Sequence, residues 1–544
     1  MGVFGKTYAL NGSQAPDNSK EMPNRSTPDD AIQILRSADP EKQSEPYPNE
    51  SQTALPQMPS PRISVDPELE ARVVRKLDWR VPTLLGFLYL LALLDRSNIG
   101  FVQLSAAGEV RSILTVHRNA RIAGMEEDLN ISGNRYSWLL TIFYISYTLS
   151  EPLALMWKLI PPHRWAAITA MSWGIVATCQ AAVQNWAGLM ALRFLLGVAE
   201  AAFGPGSPYL LSFFYSRREL GLRCGLFVSA APLANTFAGA LAYGITSGHS
   251  KLANWRLLFL VEGAPSCLAA VLAWFFLPDH PSSAWFLTEE EKDVARARSL
   301  RRSGESERVG GVNWKELGQT LLDVKPWITA LMYFSCNVSF SSLPVFLPTI
   351  LEDMGFESIH AQGLTAPPFF VSFIMSIATT WLADRLQQRG LMIVCLSVIG
   401  AVGYVLLAAC TSVAVRYFGV FLAAAGVFPC IANILPWVLN NQGSDSRRGM
   451  GIVILNVIGQ CGPFLGTNVF PDSDGPRYIR GQSICAAFML FNAILALGLR
   501  FLLVWENKRL DKQYGPVDEA VARGSVKGNF VGEENYGASF RYVL

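Results

Sequence analysis

Charges in this chain are shut out of long stretches. Val81–Leu94, Trp138–Leu149, Leu189–Val198, Leu257–Leu277 and Ile484–Leu499 are almost or entirely free of them. Such stretches fit a bilayer core. There each backbone polar group must be paired inside its own helix, and about 20 mostly apolar residues complete a crossing. The whole chain of 544 residues is 51% hydrophobic and 16% charged, where a soluble chain carries roughly 25% charged residues. The sequence therefore predicts an all-α membrane protein.

Apolar blocks recur near 80–100, 135–158, 164–183, 187–212, 222–246 and 255–277, and then near 326–351, 362–384, 390–410, 413–439, 449–470 and 480–505. A charged segment, 278–325, divides the two sets. The expectation is twelve transmembrane helices in two six-helix bundles, 71–277 and 326–505, joined by a cytoplasmic linker. Residues 1–70, rich in Pro, Ser, Asn, Asp and Glu, read as a disordered cytoplasmic tail, and 506–544 as a second tail. Two bundles joined this way place a substrate site at the midplane between them. Short loops holding His163/Arg164, Arg217/Arg218/Arg223, Arg385/Arg389 and Arg447/Arg448 are the basic ones. Basic loops stay inside, so both termini are expected in the cytoplasm. Nine scattered Cys without a CxxC pair, and five His without HxxxH spacing, give no metal site, no disulfide framework and no cofactor site.

Two pairs of charged residues sit where lipid should exclude them. Asp95 and Arg96 end an apolar run of about fifteen residues, and a charge at the bilayer centre costs about 2.5–3.5 kcal/mol on insertion scales. Arg193 and Glu200, seven residues apart, lie two helical turns apart on one face. Either Arg has a plainer reading, as a snorkelling residue at a helix end. Asn337, Asn433 and Asn468 read equally well as cavity-lining residues of the second half and as interhelical hydrogen bonds.

The motifs Leu94-Asp-Arg-Ser-Asn-Ile-Gly100, Arg193-Phe-Leu-Leu-Gly-Val-Ala-Glu200, Phe203-Gly-Pro-Gly206, Asn254-Trp-Arg-Leu-Leu-Phe-Leu-Val-Glu-Gly263, Leu277-Pro-Asp-His-Pro281, Phe346-Leu-Pro-Thr-Ile350 and Ala383-Asp-Arg-Leu386 together resemble the major facilitator superfamily. The resemblance is to the fungal allantoate/nicotinate permease branch of the anion:cation symporters, over about Lys76 to Asp511. It implies a secondary transporter working by alternating access. Arg96, Arg193, Asn337 and Asn433 would bind substrate, and Asp95 and Glu200 would couple protons. Asp384, Arg385 and Arg389 resemble the superfamily's cytoplasmic gate motif, whose counterpart in the first half is degenerate here (Pro161-Pro-His-Arg164). Glu151 with Pro152 resembles a family motif that also fits a packing kink.

One stretch departs from the pattern. Resembling sequences run directly from Asn-Ile-Gly into Asn-Ala-Arg-Ile-Ala-Gly, whereas Phe101–Arg118 intervenes here and puts Glu109, Arg111, His117 and Arg118 inside the first helix. Gly100-Phe101-Val102 admits an intron donor, Leu114-Thr115 a branch site and His117-Arg118 an acceptor. Residues 101–118 are therefore expected to be a retained intron rather than a luminal insert, which sequencing the transcript decides.

The expected function is H⁺-coupled uptake of a small organic anion, a nicotinate-, allantoate- or vitamin-like carboxylate, across the plasma membrane by a monomer. The partners are the anion, protons and the bilayer, with no nucleic acid. Two rival readings are an exporter of an organic-acid metabolite and a nutrient receptor that binds without transporting. No Ser/His/Asp, Cys/His or metal constellation suggests an enzyme.

Overall fold

The computed structural model describes residues 66–100, 125, 128–129, 131, 134–246, 252–303, 311–354, 358–466, 468–470, 474–475, 477–516, 534–538 and 540–544. Ser60–Leu544 forms one compact unit. The expected tail through residue 65 and the suspected insert 101–118 lie outside the described residues.

Helix α1 (Pro67–Asp78) starts where local chemistry favours it. Asp66 caps it by accepting from the Glu68 amide at 3.0 Å, Pro67 stands at the first position, and Glu68 and Glu70 occupy the first turn. The first half continues with α2 (Val81–Gly100), α3 (Asn134–Ser150), α4 (Pro162–Cys179), α5 (Trp186–Ala201), α6 (Gly206–Phe214), α7 (Leu220–Val228), α8 (Ala230–Thr246) and α9 (Asn254–Phe276). The charged segment forms α10 (Glu289–Ser303) and α11 (Trp314–Leu321). The second half comprises α12 (Val324–Asp353), α13 (Ser358–Leu386), α14 (Arg389–Ala409), α15 (Val413–Asn440), α16 (Asp445–Gly459), α17 (Gly462–Gly466) and α18 (Ile479–Tyr514). Among the described residues there is no strand, and eight helical stretches are long and apolar enough to cross a membrane. Large apolar side chains such as Leu268, Phe275, Ile494 and Phe501 stay exposed on their outer faces, the surface a lipid solvent requires.

Small residues let helices close on one another without a hydrophobic drive. Along α14 and α15, Gly400 and Gly403 face Gly419, Ala423 and Gly426, and a Cβ on Gly403 would lie 2.6 Å from the Gly419 carbonyl oxygen. The two halves meet where α7 and α8 pack on α13, and α7 on α15.

The charged segment is folded onto one end of the bundle by ion pairs. Lys76 donates to Glu291 at 2.7 Å and Arg301 to Glu70 at 2.6 Å, while Arg298 bonds Glu219. Burial pushes Glu219 up, but the Arg298 guanidinium, the Ser216 amide, Arg223 and Arg302 together outweigh it and hold the carboxyl below its ordinary value. The last helix runs on to Tyr514 rather than ending at 505, and residues 534–538 and 540–544 return to pack at the same end. Hydrophobicity marks only the lipid-crossing part of α18. Its polar extension is held by partners distant in sequence, such as Arg541 donating to Asp511 at 2.7 Å.

Candidate functional site

Where the halves face each other, a cavity of about 130 Å³ opens between them. Its first-half wall holds Tyr89 and Arg96 of α2, Tyr144 and Tyr147 of α3, and Asn235 of α8. Its second-half wall holds Tyr333, Asn337 and Ser341 of α12 with Asn456 of α16 and Gln460 at its C-terminal end.

Arg96 is the charge in that wall. Its Nε and Nη2 both donate to Oε2 of Glu200, at 3.0 and 2.8 Å, so two donors fall on one carboxylate oxygen. The guanidinium lies over the rings of Phe143 and Tyr147, 5.0 and 4.8 Å from their centroids, a cation–π arrangement that holds its plane. Glu200 stands behind it, 2% exposed on α5. A guanidinium carries five N–H donors, and the two bonds to Glu200 leave others at the cavity wall.

Asp95, one residue earlier, turns away from the cavity. It is 1% exposed, and its Oδ2 accepts from Ser266 of α9 at 2.6 Å. Arg193 is buried within electrostatic reach of both Asp95 and Glu200. The four charged residues expected from the sequence thus form one cluster between α2, α5 and α9, with Arg96 alone lining the cavity. They are not snorkelling at a helix end. Buried charge is tolerated in such a setting only when paired, and Glu262 of α9, within electrostatic reach of Asp95, adds a third acid to the cluster.

Asn337 lines the opposite wall and donates to the Gly459 carbonyl at 3.0 Å. Asn433 does not line the cavity. It donates to Pro429 O, one helical turn back, at 2.9 Å and to Thr379 Oγ1 of α13 at 3.3 Å, so its amide serves helix packing rather than the cavity. Asn468 is also away from it, bonded to Phe464 O at 2.8 Å.

Asp384 of α13 accepts from the Leu222 amide of α7 at 2.6 Å and bonds Arg389. A second-half carboxylate therefore caps the start of a first-half helix. Arg385 instead stacks over Trp381 at 5.5 Å.

Several wall residues escaped the sequence reading. Asn456 and Gln460 stand one turn apart in an apolar helix, a signal in hindsight, and Tyr89, Tyr144, Tyr147 and Tyr333 look like ordinary apolar filling. Glu151, fully buried, has neither carboxyl oxygen hydrogen-bonded among the described residues, although it lies within electrostatic reach of Arg96. Among the described residues no group of His, Cys, Asp and Glu is arranged to hold a metal ion.

Comparison with known proteins decides the family. The profile of the Major Facilitator Superfamily matches residues 85–467. The chain belongs to that superfamily. It is 33% identical over 471 residues to the MFS transporter prlL of a fungal species, covering 84% of this chain and 92% of that protein. It is 30% identical to the high-affinity nicotinic acid transporter of Saccharomyces cerevisiae, covering 83% and 80%. A solved proton:xylose symporter, XylE, shares the fold with a TM-score of 0.57 at 13% identity, covering 84% and 98%. The protein is thus an all-helical, multi-pass transporter of the superfamily.

Proposed function

We propose that the protein is an H⁺-coupled symporter of a small organic anion, working by alternating access between two six-helix halves. The observation that carries this reading is the Arg96–Glu200 pair at the cavity wall, one guanidinium spending two donors on a single carboxylate oxygen. An incoming carboxylate offers Arg96 a bidentate partner in a water-poor chamber, where such pairs are strong. As the anion draws the guanidinium away, Glu200 loses its compensating charge and takes a proton instead. Anion loading and proton loading then become one event, and the pair returns empty once both have left. Asp95, with its Ser266 bond, is a second proton acceptor behind the pair, and Arg193 offsets part of the buried negative charge.

In this reading α3, α4, α7 with α8, and α12 supply the four crossings beyond the eight that composition marks, giving twelve with both termini cytoplasmic. Asp384 with Arg389 forms the cytoplasmic gate. The resemblance to the anion:cation symporters and the substrate named for the yeast relative both favour a carboxylate-bearing nutrient, and the membrane proposed for its uptake is the plasma membrane.

The test is uptake into proteoliposomes over a panel of vitamins, ureides and small carboxylates, with an imposed proton gradient of either direction. Accumulation that follows an inward proton gradient supports symport. Accumulation that ignores the gradient, or binding without any uptake, overturns it.

A further inference from the structure

At the linker end of the molecule, a short returning segment joins the two halves. We propose that residues 534–538 and 540–544 form a strap, seated on the second half and catching the first half through Glu534, that must let go before the cytoplasmic end can open. The proposal goes beyond the transport reading. It rests only on the two halves separating at that end, not on the anion or the proton assignments.

The seat is built from main-chain recognition. The Val543 amide donates to Asn441 Oδ1 at 2.8 Å, and the Val543 carbonyl accepts from Asn441 Nδ2 at 3.1 Å and from Trp437 Nε1 at 2.8 Å. Leu544 O accepts from the Arg389 amide at 2.6 Å. Asn507 of α18 makes a matching pair with Tyr542, receiving its amide at 2.8 Å and donating to its carbonyl at 2.9 Å. All of these partners belong to the second half, so this part of the segment travels with it. Phe540, 1% exposed, packs between Tyr536 and Tyr542 at centroid distances of 4.6 and 5.0 Å.

The catch is different in kind. One carboxylate serves both halves. Glu534 Oε1 accepts from the Arg217 amide in the α6–α7 loop at 2.9 Å, while Oε2 accepts from Arg448 Nη2 of α16, also at 2.9 Å. The Glu534 amide donates to Arg302 O of the linker at 2.9 Å, and the Arg217 guanidinium lies 4.5 Å over the Phe540 ring. When the halves rock apart, Glu534 keeps one side and loses the other, giving up a hydrogen bond to a charged group's acceptor, among the stronger kinds. The strap thus biases the transporter toward the state closed at this end.

Amide hydrogen exchange on the full-length chain in nanodiscs tests this without any substrate. The reporter is the Leu222 amide, whose bond to Asp384 closes the halves without a strap residue as its partner. Glu534→Ala and, separately, Asn441→Ala should each speed its exchange at least tenfold while leaving Gly400–Tyr404 protected. Asp384→Asn serves as the gate control. Should Leu222 speed up in the control but not in the two strap variants, the strap idea fails. Exchange that also rises across Gly400–Tyr404 marks general loosening and overturns it equally. If even the control leaves Leu222 unmoved, the gate reading falls first, and the strap falls with it.

Discussion

The two walls of the cavity differ in what they put at stake. The first-half wall concentrates ionisable groups, with Arg96 at the surface and Asp95, Glu151, Arg193 and Glu200 buried behind it. The second-half wall offers a phenol, a hydroxyl and carboxamides: Tyr333, Ser341, Asn337, Asn456 and Gln460. Charges buried at low dielectric can exchange partners and protons, whereas carboxamides at pH 7 only orient a ligand. In the proposed mechanism coupling resides in the first half and the second contributes positioning, which a rocking pair of halves can then separate.

Breaking the charged wall should cost most. Arg96→Ala is expected to lower anion affinity at least a hundredfold, about 2.8 kcal/mol at 1.4 kcal/mol per decade, read by binding to purified protein. Near-normal affinity would place recognition elsewhere. Glu200→Gln removes the titrating group but keeps an acceptor for Arg96. It should retain counterflow exchange within a few fold and lose gradient-driven accumulation, so retained accumulation would move the coupling to another acid.

The neutral wall should respond more gently. Gln460→Ala and Asn456→Ala each remove one uncharged hydrogen bond, worth about 1 kcal/mol, and should raise the half-saturating anion concentration about fivefold with pH dependence unchanged. A shifted pH profile would erase the distinction between the walls. Smallest of all, Arg385→Gln removes only a stacking contact at the gate and should change the initial rate less than twofold. A large loss there would mean that the gate relies on Arg385 as much as on Asp384.

Hydrophobicity is local, so the helical blocks were legible. A block such as 390–410 can satisfy its backbone in lipid only as a helix, and α14 is one. Asp95, Arg96, Arg193 and Glu200 were legible for a related reason: a charge within an apolar run has to meet something. What they meet was not, because Ser266 and Glu200 are 171 and 104 residues from their partners, and nothing in a linear spacing pairs them. Asn433 shows the converse. Its residue type in an apolar helix allowed a cavity role, and only the position of Thr379 and the Pro429 carbonyl assigned it to packing.

The sequence by itself determined a lipid-crossing, all-helical chain with ionisable groups at membrane depth, since hydrophobicity and charge act residue by residue. Tertiary structure alone decided which acid holds Arg96, which face of each helix reaches the cavity, and that the segment around Glu534 returns to bridge two distant parts of the chain. Those outcomes depend on side-chain geometry between helices, which packing fixes and composition does not encode.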